Sequence, residues 1–141
     1  MTAAEMWQAS GLSGEYTAWA FGDAPDALAA LVLAGRKTAT ASALACYEAE
    51  GEPLPQVGEY SVVLDARGQA VCIIRTTRVY IRPFDKVSAR HAEKEGEGNL
   101  SLRHWRAAHR AFFTAELAAI SHPFTEQMPV VCEEFEKVYP A

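Results

Sequence analysis

"LAGRKTATAS", Leu33–Ser42, is where the chain changes its period. Before it, Leu28, Leu31 and Val32 recur at helical spacing, and Gly35 suits the C′ position because it accepts positive φ without a Cβ clash. After it, Thr38, Thr40 and Ser42 alternate with alanines, as side chains do along a pleated strand. A helix that gives way to a strand within four residues argues for a mixed α+β chain.

Working outward from this junction, residues 2–9 and 13–19 read as short helices, and Asp23 reads as an N-cap with Pro25 in the first turn. Residues 42–50 suit a short helix. Strands are expected near 38–42, 59–64, 70–81 and 130–138, where β-branched residues gather, with "DARGQ" as a hairpin connection. A helix is expected over Ser88–Glu95. A longer one follows Ser101, with Leu102, Trp105, Phe112, Phe113 and Ile120 on its apolar face and Arg103, Arg106 and Arg110 beside them. Strands joined by hairpins and interrupted by helices suggest a small curved sheet or barrel with helices packed around it.

The totals set limits. The 141 residues, half of them hydrophobic, suit one globular domain with a real core. No apolar run approaches the ~20 residues that span a bilayer, and the N-terminus lacks the pattern of a signal peptide. Cys46, Cys72 and Cys132 are too scattered for a disulfide framework or a CxxC metal site, so a cytoplasmic setting is expected. Net charge is −5, which argues against a general nucleic-acid coat. Yet nine of the 13 Lys and Arg fall between Arg75 and Arg110 against four acids, leaving that segment at +5 and the remainder at −10. Such a segment can meet a phosphate or a polar nucleoside, or it can be a solvated face.

Lys37 is the first candidate for chemistry. A neighbouring cation, Arg36, or partial burial lowers a lysine pKa and frees its amine as a base for a threonine hydroxyl. The plainer reading is that both cations complement the helix dipole. In a regular strand Lys37 and Thr40 point to opposite faces, so their convergence requires a local irregularity. The second candidate is "HAEKEGEG". His91 and Glu95 stand one helical turn apart, and Glu95 can act as general acid or base. No HExxH-like pattern accompanies them, and no metal is expected. Trp19, Phe21 and Tyr47 flank the Lys37 segment as possible stacking surfaces. Phe112 and Phe113 read as core, and His109 as a buried, hydrogen-bonded histidine.

Taken together, "LAGRKTATAS", "GEPLPQVGEYSVVLD", "VCIIRTTRVYIRPFDKV", "HAEKEGEGNLSLRHWRAAH" and "MPVVCEEFEKVY" resemble the ASCH-domain family of the PUA-like superfamily, from about Trp19 to Tyr139. The resemblance implies a small PUA-like β-barrel with packed helices over 1–141, with residues 1–18 a helical N-terminal extension. It implies a cleft that binds RNA or a nucleoside. Small members of the family are amidohydrolases on N4-acetylcytidine, using a Lys, a Thr three residues later and a Glu, which match Lys37, Thr40 and Glu95. A longer member is similar to a ribonuclease on single-stranded RNA. The extra N-terminal region, the "AWAFGD" stretch and the "YEAEGEPLP" insertion depart from the small amidohydrolases. The expected substrate-binding residues are Trp19, Phe21, Arg36, Thr38, Ser42 and Tyr47. Three readings stay open: deacylation of an N4-acylated cytidine, cleavage of single-stranded RNA, and RNA or nucleotide binding without catalysis. Neither a metal nor an organic cofactor is implied, no membrane partner is expected, and the oligomeric state is open.

Overall fold

In the computed structural model, which describes residues 1–141, two long strands form the spine of the molecule. Strand β4 spans Ala70–Pro83 and strand β5 spans Pro129–Tyr139, both rich in the β-branched and aromatic residues that suit a half-buried pleat. They pair antiparallel from Ile73 opposite Tyr139 to Pro83 opposite Pro129, with register shifts at Ile73/Ile74 and Thr76/Arg78. Such bulges bend a ladder that would otherwise run flat. Strand β3 (Tyr60–Leu64) pairs with β4, and β2 (Ala39–Ala43) pairs with β5, both antiparallel; β1 (Thr17–Ala20) joins β3 in parallel. The order β1-β3-β4-β5-β2 makes a curled half-barrel with β1 and β2 as its two free edges.

Five helices cover this sheet: α1 (Ala3–Ser10), α2 (Pro25–Leu33), α3 (Leu44–Glu50), α4 (Ala89–Glu95) and α5 (Leu102–Ala118). Strand alternation sends Val62 and Val63 to opposite faces, so the sheet is buried on both sides. Val62 and Ile73 meet Met6 of α1, whereas Val63, Cys72, Ile74 and Phe135 meet Ala29 and Val32 of α2. A third cluster joins Ala43, Val130 and Cys132 to Phe84, Trp105, Phe113 and Leu117 under α4 and α5. No helix is long and apolar enough to cross a membrane.

Two local expectations need correction. Residues 13–19 are not a helix: Gly11 and Gly14 take positive φ (75° and 97°), α1 ends there, and the chain enters β1 alongside β3. Asp23 is not the cap of α2. Ala24 holds that position in the left-handed region without a side-chain cap bond, and Asp26 instead accepts a 2.8 Å hydrogen bond from the Ala66 amide in the β3–β4 hairpin. The other element ends lie within one or two residues of their expected places, the usual fraying of a boundary.

Candidate functional site

Where a closed barrel would join β1 to β2, this molecule has a cleft of about 900 Å³. Thr17 and Trp19 line it from one edge, Thr40 and Ser42 from the other, and Tyr47 of α3, Phe112 and Glu116 of α5 and Glu133 of β5 complete its walls. A smaller chamber of about 80 Å³ shares Phe21, Thr40, Ala41 and Phe112 with the cleft and reaches inward to Lys37, Glu95, Glu97 and His109.

The helix-to-strand junction explains how Lys37 reaches that chamber. The amides of Arg36 and Lys37 both bond the Leu31 carbonyl, at 2.9 and 3.1 Å, and the Thr38 amide bonds the Lys94 carbonyl at 2.7 Å. The chain therefore leaves α2 late and joins the ladder only at Ala39. Lys37 escapes the strand parity that would set it opposite Thr40, and both residues line the chamber. Gly96, which ends α4 at φ 70°, presses against this junction: a Cβ there would lie 2.3 Å from the Arg36 carbonyl oxygen.

Glu95 is fully buried and holds the centre of a polar network. Its Oε2 accepts from Trp105 Nε1 at 2.6 Å and from His91 Nε2 at 2.7 Å. Its Oε1 faces Lys37 Nζ at 3.3 Å and His109 Nε2 at 3.4 Å. Lys37 Nζ also donates to Glu97 Oε2 at 2.8 Å and sits 5.3 Å from the Phe21 ring centre. Burial by itself would raise the Glu95 pKa, but hydrogen bonds from His109 and His91 and the Lys37 charge hold it well below the usual carboxylate range. His109 Nδ1 lies 2.9 Å from the Trp105 carbonyl, which can only accept, and its Nε2 meets a carboxylate, which also can only accept. An imidazolium satisfies both. Accordingly, burial depresses the His109 pKa but the bond and charge of Glu95 outweigh it, and the net shift is upward.

Glu95, Glu97 and His109 bring ligand atoms within 4.8 Å of one another, a spacing that can hold a metal ion. Here the Lys37 ammonium already contacts both carboxylates, so an ion would have to displace it.

The remaining expected residues divide. Trp19 and Phe21 stack edge to face at 5.0 Å on the cleft wall, and Ser42 Oγ lies 2.9 Å from the Tyr47 hydroxyl. Burial pushes the Tyr47 pKa up. Arg36 is exposed and the Thr38 hydroxyl donates to the Lys94 carbonyl at 3.3 Å; neither lines the cleft or the chamber. Sequence reasoning overlooked Trp105, placed in the core by its spacing, although a buried indole N–H needs an acceptor. It also overlooked the cleft's carboxylates: Glu15, Glu52, Glu59, Glu116 and Glu133, with no Lys, Arg or His among the lining residues. The signal for Glu133 was a charge at a strand position between buried neighbours, Val131 and Phe135.

The basic segment is largely engaged elsewhere. Arg106 donates to the Asp85 and Val87 carbonyls, and Arg110 pairs with Glu126 and lies over the Phe84 and Phe124 rings. Arg75 pairs with Glu136, and Arg78 and Lys94 share Glu134.

Comparison with known proteins places this geometry in a family. An ASCH domain model matches residues 17–139. The crystal structure of the ASCH domain from Lactobacillus crispatus JV V101 is 34% identical, superposes with a TM-score of 0.90, and the match covers 96% of this chain and 93% of that one. A crystal structure of a protein from Enterococcus faecalis V583 is 35% identical with a TM-score of 0.82, covering 96% of this chain and 86% of that one. A hypothetical protein at 13% identity, with a TM-score of 0.56 over 87% of this chain and 99% of its own, shares the fold alone. No curated protein matches the chain. The chain thus belongs to the ASCH domain family, a PUA-like class of domains associated with RNA binding.

Proposed function

We propose that this protein takes an uncharged nucleoside into the cleft and hydrolyses an N4-acylated cytidine there, without a metal. The observation that carries this reading is the charge of the cleft: five glutamates line it and no cation does. At an effective dielectric near 20, one carboxylate about 7 Å from a phosphate opposes it by about 2 kcal/mol. The nearest deep cation, Lys37, is already paired with Glu95 and Glu97. A polyanion is therefore disfavoured, whereas a nucleoside has nothing to repel. Trp19, Phe21, Tyr47 and Phe112 offer aromatic faces for a base, and the unpaired main-chain groups of edge strands β1 and β2 offer hydrogen bonds to its rim.

In this reading Thr40 supplies the nucleophilic hydroxyl. Lys37, held between two carboxylates, places a positive charge that stabilises the oxyanion developing on the acyl group. Glu95, engaged by four donor groups, fixes Lys37 and His109 rather than passing a proton to the leaving amine. Cleavage of single-stranded RNA and binding without turnover are the rival readings, the former favoured by the family's association with RNA.

The test is to incubate the protein with N4-acetylcytidine, its 5′-monophosphate and a labelled single-stranded RNA. The expected result is cytidine plus acetate, at least tenfold slower turnover of the nucleotide, and intact RNA. RNA cleavage without deacylation would favour the ribonuclease, and tight binding of all three without any product would favour the binding module.

A further inference from the structure

Deacylation by Thr40 needs an acceptor for its hydroxyl proton. We infer that Glu133 is the general base for Thr40 and returns the same proton to the leaving amine, an assignment that rests on that reading for its substrate. In the β2–β5 ladder Thr40 is the direct partner of Glu133. Directly opposed residues of an antiparallel pair point to the same face with Cβ atoms about 4.5–5.5 Å apart. Both line the cleft.

Glu133 is unlike the other carboxylates near Thr40. It is only 7% exposed, yet no cation pairs with it. Thr76 Oγ1 donates to its Oε2 at 2.7 Å, which fixes the side chain; Oε1 takes no hydrogen bond from the protein. Thr40, for its part, spends its hydroxyl on no protein partner, whereas Thr38 and Ser42 on either side are both bonded. The titratable groups around Glu133 are Glu59, which precedes β3, Tyr47 on α3 and Glu116 on α5, none of them cationic. Burial raises the Glu133 pKa, the Thr76 bond lowers it and Glu59 raises it, with a net upward shift toward the range where a carboxylate exchanges protons well.

The chemistry balances. Glu133 takes the Thr40 proton as the Thr40 oxygen bonds to the acyl carbon. The C–N4 bond then breaks, and the amine of cytidine takes that proton from Glu133. In the second half, Glu133 takes a proton from water as hydroxide adds to the acyl-threonine. The proton returns to the Thr40 oxygen as it departs, and the carboxylic acid leaves.

The experiment separates Glu133 from the identity of the substrate. The first readout is release of p-nitrophenolate from p-nitrophenyl acetate, taken as the part of the rate that Thr40→Val abolishes. The second is turnover of N4-acetylcytidine across pH. Glu133→Gln, which keeps its size and its contact with Thr76, is expected to lower the Thr40-dependent rate about 10²-fold with KM little changed and to remove the acid limb of the pH profile. Glu133→Asp keeps the charge and should retain an intermediate rate. If circular dichroism shows Glu133→Gln unfolded, Glu133→Asp decides by the same comparison. A Thr40-dependent rate unchanged in these variants overturns the assignment, as does a wild-type protein with no such rate. Thr40-dependent ester cleavage that needs Glu133, without deacylation of the cytidine, sinks the substrate and supports the base.

Discussion

Replacing Glu95 by alanine tests whether the buried network holds the site together. The carboxylate accepts from Trp105 and His91 at 2.6 and 2.7 Å and faces Lys37 and His109. Its removal leaves two buried donors without an acceptor, each costing about 1 kcal/mol or more. It also strips the Lys37 ammonium of one of two counter-charges, and breaking a buried pair from one side costs about 3 kcal/mol at the low end. The losses share partners and water can enter the space, so about 4 kcal/mol is expected rather than the full sum of about 5. For a chain of 141 residues this lowers Tm by about 13 °C. Urea denaturation followed by circular dichroism should show a lower midpoint with the slope unchanged. Glu95→Gln, which keeps one acceptor oxygen, should lose about half as much. A Glu95→Ala protein within 1 kcal/mol of wild type would refute the reasoning, because the four contacts would then contribute nothing net.

The pH dependence has a definite sign. The folded pKa of His109 lies above its ordinary value of 6.5, so its contribution is full below about pH 6.5 and is lost as pH rises through the folded value. The stability gap between wild type and His109→Gln, read by urea titration, should shrink as pH rises. The folded pKa of Glu95 is depressed, so the gap between wild type and Glu95→Gln should be present above about pH 4.5 and shrink on acidification. Gly96→Ala must fit a Cβ 2.3 Å from a backbone oxygen at positive φ; a loss of about 2 kcal/mol is expected together with reduced turnover, and a wild-type melting curve would contradict the close approach. Replacing Arg103, Arg106 and Arg110 together by alanine should lower Tm by several degrees, because Arg106 tethers Asp85 and Val87, while nucleoside affinity stays the same. A steep loss of salt-dependent RNA binding in that variant, measured by filter binding, would show instead that the stripe holds a backbone.

The helix-to-strand junction was legible because its two periods meet at a glycine, and the long β4 strand because branched residues run through it. Strand β1 was not legible. Four residues with only Trp19 partly covered carry too little alternation to announce a strand, and its place is set by β3, more than 40 residues away. Asp23 was misread because Asp-x-x-Asp imitates a cap, while the left-handed turn at Ala24 does not show in the letters. Within the site, Lys37 and Glu95 stood out by local chemistry. Trp105, His109 and Glu133 did not, since each gains its partner through tertiary packing or a strand register that no local pattern encodes. The charge of the cleft was hidden for the same reason: its five glutamates are spread from residue 15 to residue 133.

The late departure of Lys37 from α2 has a bearing on how the chain matures. Lys37 and Glu95 are 58 residues apart, and β2 finds its ladder partner only in β5, the last of the five strands of the sheet in chain order. A nascent chain that ends before β5 carries Lys37 together with Glu95 and Glu97, but leaves β2 unpaired and Thr40 without Glu133 opposite it. Pairings of such long sequence separation form late in folding. Assembly of the cleft between β1 and β2 thus awaits completion of the whole sheet, and any ligand that needs both edges would stabilise the finished molecule by mass action.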